Sequence, residues 1–177
     1  MSGADFEVPG LKRIEIRRFA QVFRAALQQR EARFDVIHAL EFGLLELIPD
    51  FEFLCGDLES MGPDHGVTIP TKRIVRIRED VYLGAIAESG RDRLTICHEF
   101  GHLLLHDDLA FARRVVPRSV PAYRSSEWQA NCFAGELLMD QRFISATDSE
   151  ADLVNRFGVS WDAASYQLSV LKREGLR

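Results

Sequence analysis

Five consecutive residues carry the sharpest chemical signal in the chain: His98-Glu99-Phe100-Gly101-His102, an H-E-x-x-H pattern. On a helix, positions four apart share a face, so the two imidazoles can converge on one ion. Zinc accepts neutral imidazole nitrogen at ~2.0–2.1 Å and favours a tetrahedral set. Glu99 adjoins the first histidine and can take a proton from an attacking water without ligating, then pass it to a leaving amine. The spacing points to metal-assisted hydrolysis. The bland alternative is a core helix carrying two satisfied histidines, and the apolar flank of Leu94, Ile96, Phe100, Leu103, Leu104 and Leu105 is the flank of a buried helix in either case.

A catalytic zinc site needs a third protein ligand and one open position. Glu127 is the best candidate, because it opens a second helical stretch whose next turn brings Asn131 onto the same face. In that E-x-x-x-N arrangement Glu127 would bind metal while Asn131 orients a ligating imidazole from behind. Taken alone, Glu127 reads as a surface charge near a helix N-terminus; it is the pairing with the H-E-x-x-H helix that favours a ligand. Glu136 is a weaker rival, too far along the same helix. His106 continues the four-residue series, but each step rotates about 40°, so it drifts off the His98–His102 line and is left out of the ligand set. Tyr123 and His65 are candidate donors to the oxyanion formed when a carbonyl is attacked, with a structural role the bland reading for both. The expected complement is one zinc per chain, although a His/His/Glu set can hold other divalent ions.

These residues need elements to position them. Apolar positions from Leu11 to about Arg33 recur at helical spacing, and Asp35 could cap a second helix through Leu45, stopped by Pro49. Short apolar runs at Phe51–Leu54, Val67–Ile69 and Arg73–Arg78, separated by Gly and Pro, read as two or three strands of a small sheet. Lys72, Arg73, Arg76 and Arg78 suggest a solvated strand face or an edge able to pair with an extended substrate. Helical periodicity returns after Ser89-Gly90, from about Arg93 to Leu105, and again over Glu127–Met139. Val115–Ala122 contains two prolines and reads as loop. The C-terminal part resembles a helix-turn-helix over 151–173, but its second helix carries few basic or amide side chains for DNA. The fold class expected is α+β, one domain over 1–177, with residues 1–10 a loose lead-in.

Composition narrows the setting. The chain has 177 residues, 46% hydrophobic and 28% charged, with formal net charge -5. That suits one soluble globular domain and does not advertise nucleic-acid binding. There is no basic-then-apolar N-terminal run and no ~20-residue apolar stretch to span a membrane. Cys55, Cys97 and Cys132 are odd in number, widely spaced and without CxxC, which argues against a disulfide framework and for a reducing, cytoplasmic location.

Arg91 to His106 resembles the zinc helix of the ImmA/IrrE family of metallo-endopeptidases, and Glu127 to Met139 resembles that family's second signature. Met61-Gly62, His65-Gly66 and Ile77–Tyr82 are similar to the sheet region of some members, so the likeness spans roughly 35–172. It implies a gluzincin-like (zincin) fold with helices on a small mixed sheet and a glutamate third ligand, matching Glu127. It also implies regulated proteolysis of a protein partner, a transcriptional repressor with a helix-turn-helix domain or an antitoxin-like regulator. Members occur in mobile elements and stress responses. Two departures stand out: Asp140 where the family usually has proline, and Cys97 where small residues are common; the thiol is either core packing or a redox-sensitive group beside the metal. Two rivals remain: a non-proteolytic binding module with structural zinc, and a DNA-binding regulator.

Overall fold

The computed structural model describes residues 5–106 and 120–176. Helix α1 (Arg13–Ala26) buries Ile16, Ala20 and Phe23. It is shorter than the periodicity to Arg33 suggests. The chain turns at Gln28, which takes a left-handed φ of 55°. The fully buried Arg24 explains the turn: its guanidinium donates to the carbonyls of Leu137 at 2.8 Å, Ala32 at 3.2 Å and Glu31. A straight helix could not present the last two carbonyls to it.

The Asp35 cap forms as expected, accepting from the His38 N–H. Helices α2 (Val36–His38) and α3 (Leu44–Leu47) are joined without a break by a π-helical turn, Ala39–Gly43. Three strands follow: β1 (Glu52–Gly56), β2 (Gly66–Ile69) and β3 (Ile74–Arg78), in the order β1-β3-β2. β3 runs parallel to β1 and antiparallel to β2. All three strands lie where the apolar runs place them. The basic segment, however, is not an edge: β3 is the central strand, with both sides of its backbone paired. Arg76 and Arg78 reach sideways instead, to Ser60 Oγ, the Gly62 carbonyl and Asp80.

Two helices are absent from the sequence reading. α4 (Leu58–Met61) is a single turn capped by Asp57, and α5 (Glu79–Ile86) follows β3 directly. Met61 and Glu79–Tyr82, which the family likeness assigned to sheet, are therefore helical. Glu79 and Asp80 in the first turn of α5 suit the positive end of the helix dipole.

Helix α6 (Gly90–Leu105), capped by Ser89, and α7 (Ser126–Leu138), capped by Ser125, form the centre of the structure. α8 (Glu150–Phe157) and α9 (Trp161–Arg173) meet at Gly158, whose φ of 64° makes the expected turn. One buried cluster draws on all of these: Phe23, Phe100 and Phe133 meet at 6.1–6.2 Å between rings, and Leu153, Phe157, Ala164 and Leu168 bring in the last two helices. The result is an α+β fold with helices packed on a three-stranded mixed sheet. No helix among the described residues is long and apolar enough to cross a membrane.

The described part of the lead-in is not loose. Val8 is buried, and a β-bridge joins Glu7 to Ser125. The Val8 N–H donates to the Arg124 carbonyl, the Leu11 N–H to the Tyr123 carbonyl, and the Ser126 N–H to the Phe6 carbonyl. These partners are more than a hundred residues away, beyond the reach of local pattern. Most of the expected loop over Val115–Ala122 lies outside the described residues; Ala122–Arg124 is a 3-10 turn.

Candidate metal centre

α6 and α7 approach closely because residue 101 is glycine: a Cβ there would lie 2.8 Å from Ala130 Cα and 3.0 Å from its carbonyl oxygen. One of the two variable positions in H-E-x-x-H thus sets the distance between the histidines and the helix bearing Glu127. The His98 and His102 Nε2 atoms are 2.9 Å apart. Glu127 Oε2 lies 3.4 Å from His98 Nε2, and Oε1 lies 3.1 Å from His102 Nε2. These three residues are the only group of at least three His, Cys, Asp or Glu among the described residues that could hold a metal ion.

Their hydrogen bonds fix which atoms face inward. Gln129 donates its Nε2 to the carbonyls of Pro9 and Tyr123, both at 2.8 Å, so its Oε1 must accept. His106 Nε2, 3.1 Å away, is therefore the donor to it. In the neutral ring that leaves His106 Nδ1 an acceptor for His102 Nδ1–H at 3.2 Å. His98 Nδ1–H similarly donates to Asn131 Oδ1 at 3.1 Å. Both Nε2 atoms then carry lone pairs, and they face each other and a carboxylate. Three electron-pair donors this close repel unless a cation sits among them. Two neutral imidazoles and a carboxylate fit zinc or a similar divalent ion in donor type.

Without an ion, the closeness of the three groups instead favours a proton shared among them, in the place a metal ion would take. Burial pushes the Glu127 carboxyl up, but its contacts with His102 and His98 outweigh that and hold it well below the usual carboxylate range. Burial likewise opposes charge on His98, yet Glu127 and Glu99 raise it overall. Burial lowers His106 to about 4, which keeps it neutral.

Glu99 is buried and lies on the side of α6 facing β2. The Thr68 hydroxyl donates to its Oε2 at 2.7 Å. Gly66 passes directly over it: a Cβ at 66 would sit 2.7 Å from Glu99 Cγ. Glu99 and His98 open onto a cavity of about 130 Å³ lined also by His65, Gly66, Leu94, Thr95 and Asn131. That volume holds a few waters or one modest side chain.

The residues singled out from sequence divide accordingly. His98, His102, Glu127 and Asn131 are brought together, Glu99 lies beside them, and His65 lines the shared cavity. Tyr123 does not line it; its ring lies against Gly10 and its backbone carbonyl serves Gln129. Glu136 points the other way, held by Arg13 at 3.0 Å and Arg17 at 2.7 Å. His106 contacts Gln129 and His102. Gln129 and Thr68 went unnoticed in the sequence, and Gly66 was read there only as part of the sheet region; the i, i+4 step from His102 to His106 is the one signal there for a partner of this kind. Cys97 is fully buried and its thiol is pushed up to about 12 by burial, so it packs and stays protonated.

The family of IrrE N-terminal-like domains, peptidase family M78, matches residues 58–169. The chain belongs to this family. No curated protein matches it. In this IrrE N-terminal-like domain the matched stretch runs from α4 into α9 and takes in β2, β3, α6 and α7. It excludes α1, β1 and residues 5–11. Peptide-bond hydrolysis is thus the chemistry of its class, and the His98, His102 and Glu127 group could hold a metal ion.

Proposed function

We propose that this chain is a zinc-dependent endopeptidase that cuts a locally extended segment of a specific protein partner. The observation that carries the proposal is the convergence of His98 Nε2, His102 Nε2 and the Glu127 carboxylate, all three as electron-pair donors, next to the buried Glu99 carboxylate, which lies outside that group. Zinc bound there supplies Lewis acidity, polarising a carbonyl oxygen and easing deprotonation of water. Glu99 takes the proton of the attacking water and delivers it to the leaving amine nitrogen. Thr68 keeps that carboxylate in place by occupying one oxygen and leaving Oε1 for the proton. Asn131 holds the His98 ring with Nε2 inward, and His65, on the wall of the cavity, would donate toward the developing oxyanion.

Substrate binding follows from the sheet. The Arg78 N–H donates to the His65 carbonyl, and Val67 pairs with Arg76. By the alternation of an antiparallel ladder, the backbone groups of Gly66 and Thr68 then point away from β3, along the free edge beside Glu99. An extended peptide can add there as a further strand. A folded segment cannot, so cleavage needs local unfolding of the partner and specificity is narrow. The partner class to screen first is a repressor with a helix-turn-helix domain, in the cytoplasm, where the three free cysteines also belong. The rival reading, a binding module with structural zinc, gives no reason for a buried Glu99 opening onto a cavity.

Glu99→Gln tests the reading. Cleavage of a candidate partner should fall by roughly 10²–10⁴-fold while zinc content stays at the wild-type level. Undiminished cleavage would remove the general-base role.

A further inference from the structure

Residues 5–11 lie outside the matched part of the family, yet they reach the supports of two metal-site residues at once. The Asp5 carboxylate accepts from Ser125 Oγ at 2.9 and 2.8 Å, from Ser126 Oγ at 3.2 Å and from the Glu127 backbone N–H at 3.2 Å. It thereby holds the first turn of α7, the turn that carries Glu127, with a negative charge where the helix dipole favours one. Four residues on, the Pro9 carbonyl accepts from Gln129 Nε2 at 2.8 Å. Gln129 Oε1 takes the His106 Nε2 proton at 3.1 Å, and His106 Nδ1 takes the His102 Nδ1 proton at 3.2 Å. Gln129 is 1% exposed and His106 2% exposed, so water does not compete for these bonds.

We infer that Asp5–Leu11 is a positioning strap for the metal centre, acting on Glu127 through Asp5 and on His102 through Gln129 and His106. The inference rests on His98, His102 and Glu127 being the metal ligands. Its physical content is preorganisation. The relay fixes both the tautomer and the rotation of the His102 ring, so that Nε2 faces inward before any ion arrives. The Asp5 contacts do the same for the backbone under Glu127. Without the strap, both side chains must be ordered at the moment of binding, which weakens affinity. Loss of such outer partners typically costs ~10–100-fold in metal affinity.

The test is the zinc dissociation constant of the full chain, measured by competition with a chromophoric chelator. It compares wild type with Gln129→Met, Asp5→Ala and Asp5→Asn, alongside the melting midpoint of each metal-free protein. Gln129→Met keeps the bulk and removes the relay, and should weaken zinc by about 10-fold or more. Asp5→Ala should also weaken it, and Asp5→Asn, which retains an acceptor oxygen, should recover most of the loss. A merely structural role would lower the metal-free midpoint without changing the dissociation constant. Should Gln129→Met fail to fold, the Asp5 pair decides alone. Wild-type affinity in the folded variants overturns the strap and leaves the metal site standing. A wild type that takes up no zinc overturns the metal reading and the strap with it.

Discussion

Replacing Gly66 with alanine perturbs the placement of Glu99 while sparing every ligand. The new Cβ would stand 2.7 Å from Glu99 Cγ and 2.9 Å from both Cδ and Oε1. Relaxed carbon–carbon contact is ~3.5–4.0 Å, so about 1 Å of movement is required. The strand resists it, because β2 is paired along its length with β3. The carboxylate therefore yields and leaves the 2.7 Å bond to Thr68. A displacement of ~1 Å at a reacting group costs on the order of 10²-fold in rate, or about 2.7 kcal/mol of transition-state stabilisation. Gly66 has no positive φ, so alanine fits the strand backbone and the fold should persist. The assay is kcat/KM on a quenched fluorescent peptide selected from an extended-peptide library, with zinc content measured in parallel. Wild-type kcat/KM in the Gly66→Ala protein would refute the placement of Glu99 under β2.

Two further outcomes follow from the buried charges. Glu136→Ala leaves Arg13 and Arg17 facing an empty site; with Arg17 retaining Glu174 at 2.6 Å, the loss should sit near the low end of the ~3–5 kcal/mol for breaking a buried pair, read by urea denaturation with zinc content unchanged. Asp140 is 1% exposed; burial pushes its carboxyl up, but hydrogen bonds from Arg142 and Gln21 outweigh that and hold it below the usual range. A depressed folded value means that its stabilisation is present above the unfolded pKa of ~3.9 and is lost as pH falls through the folded one. The stability gap between wild type and Asp140→Asn should accordingly be flat above about pH 5 and shrink below pH 4; a gap unchanged down to pH 2 would contradict this.

The legible parts of the molecule were those written at short range. The four-residue spacing of His98 and His102, the glutamate and asparagine of α7, the Asp35 cap and the three apolar runs each imply their element from a few neighbouring residues. What escaped depends on partners distant in sequence. The pinning of Asp5–Leu11 depends on Tyr123–Gln129. The central place of β3 depends on pairing order, which alternation of Arg and Ile cannot reveal, so an edge stayed open beside the reading of a solvated face. Gly66 reads as punctuation until β2 is laid over Glu99. Asp140 looked incidental at the end of α7 and is a buried carboxylate anchoring Arg142. His106 was judged by its rotation away from the His98–His102 line; that drift is what places it beside His102 as a hydrogen-bond partner.

The most direct test of the centre is the metal content of protein purified without chelator, wild type beside Glu127→Ala and His98→Ala. About one zinc per chain in the wild type, lost from both variants, is the expected result for a three-ligand site. A wild type with no zinc, and none taken up on addition, would contradict it.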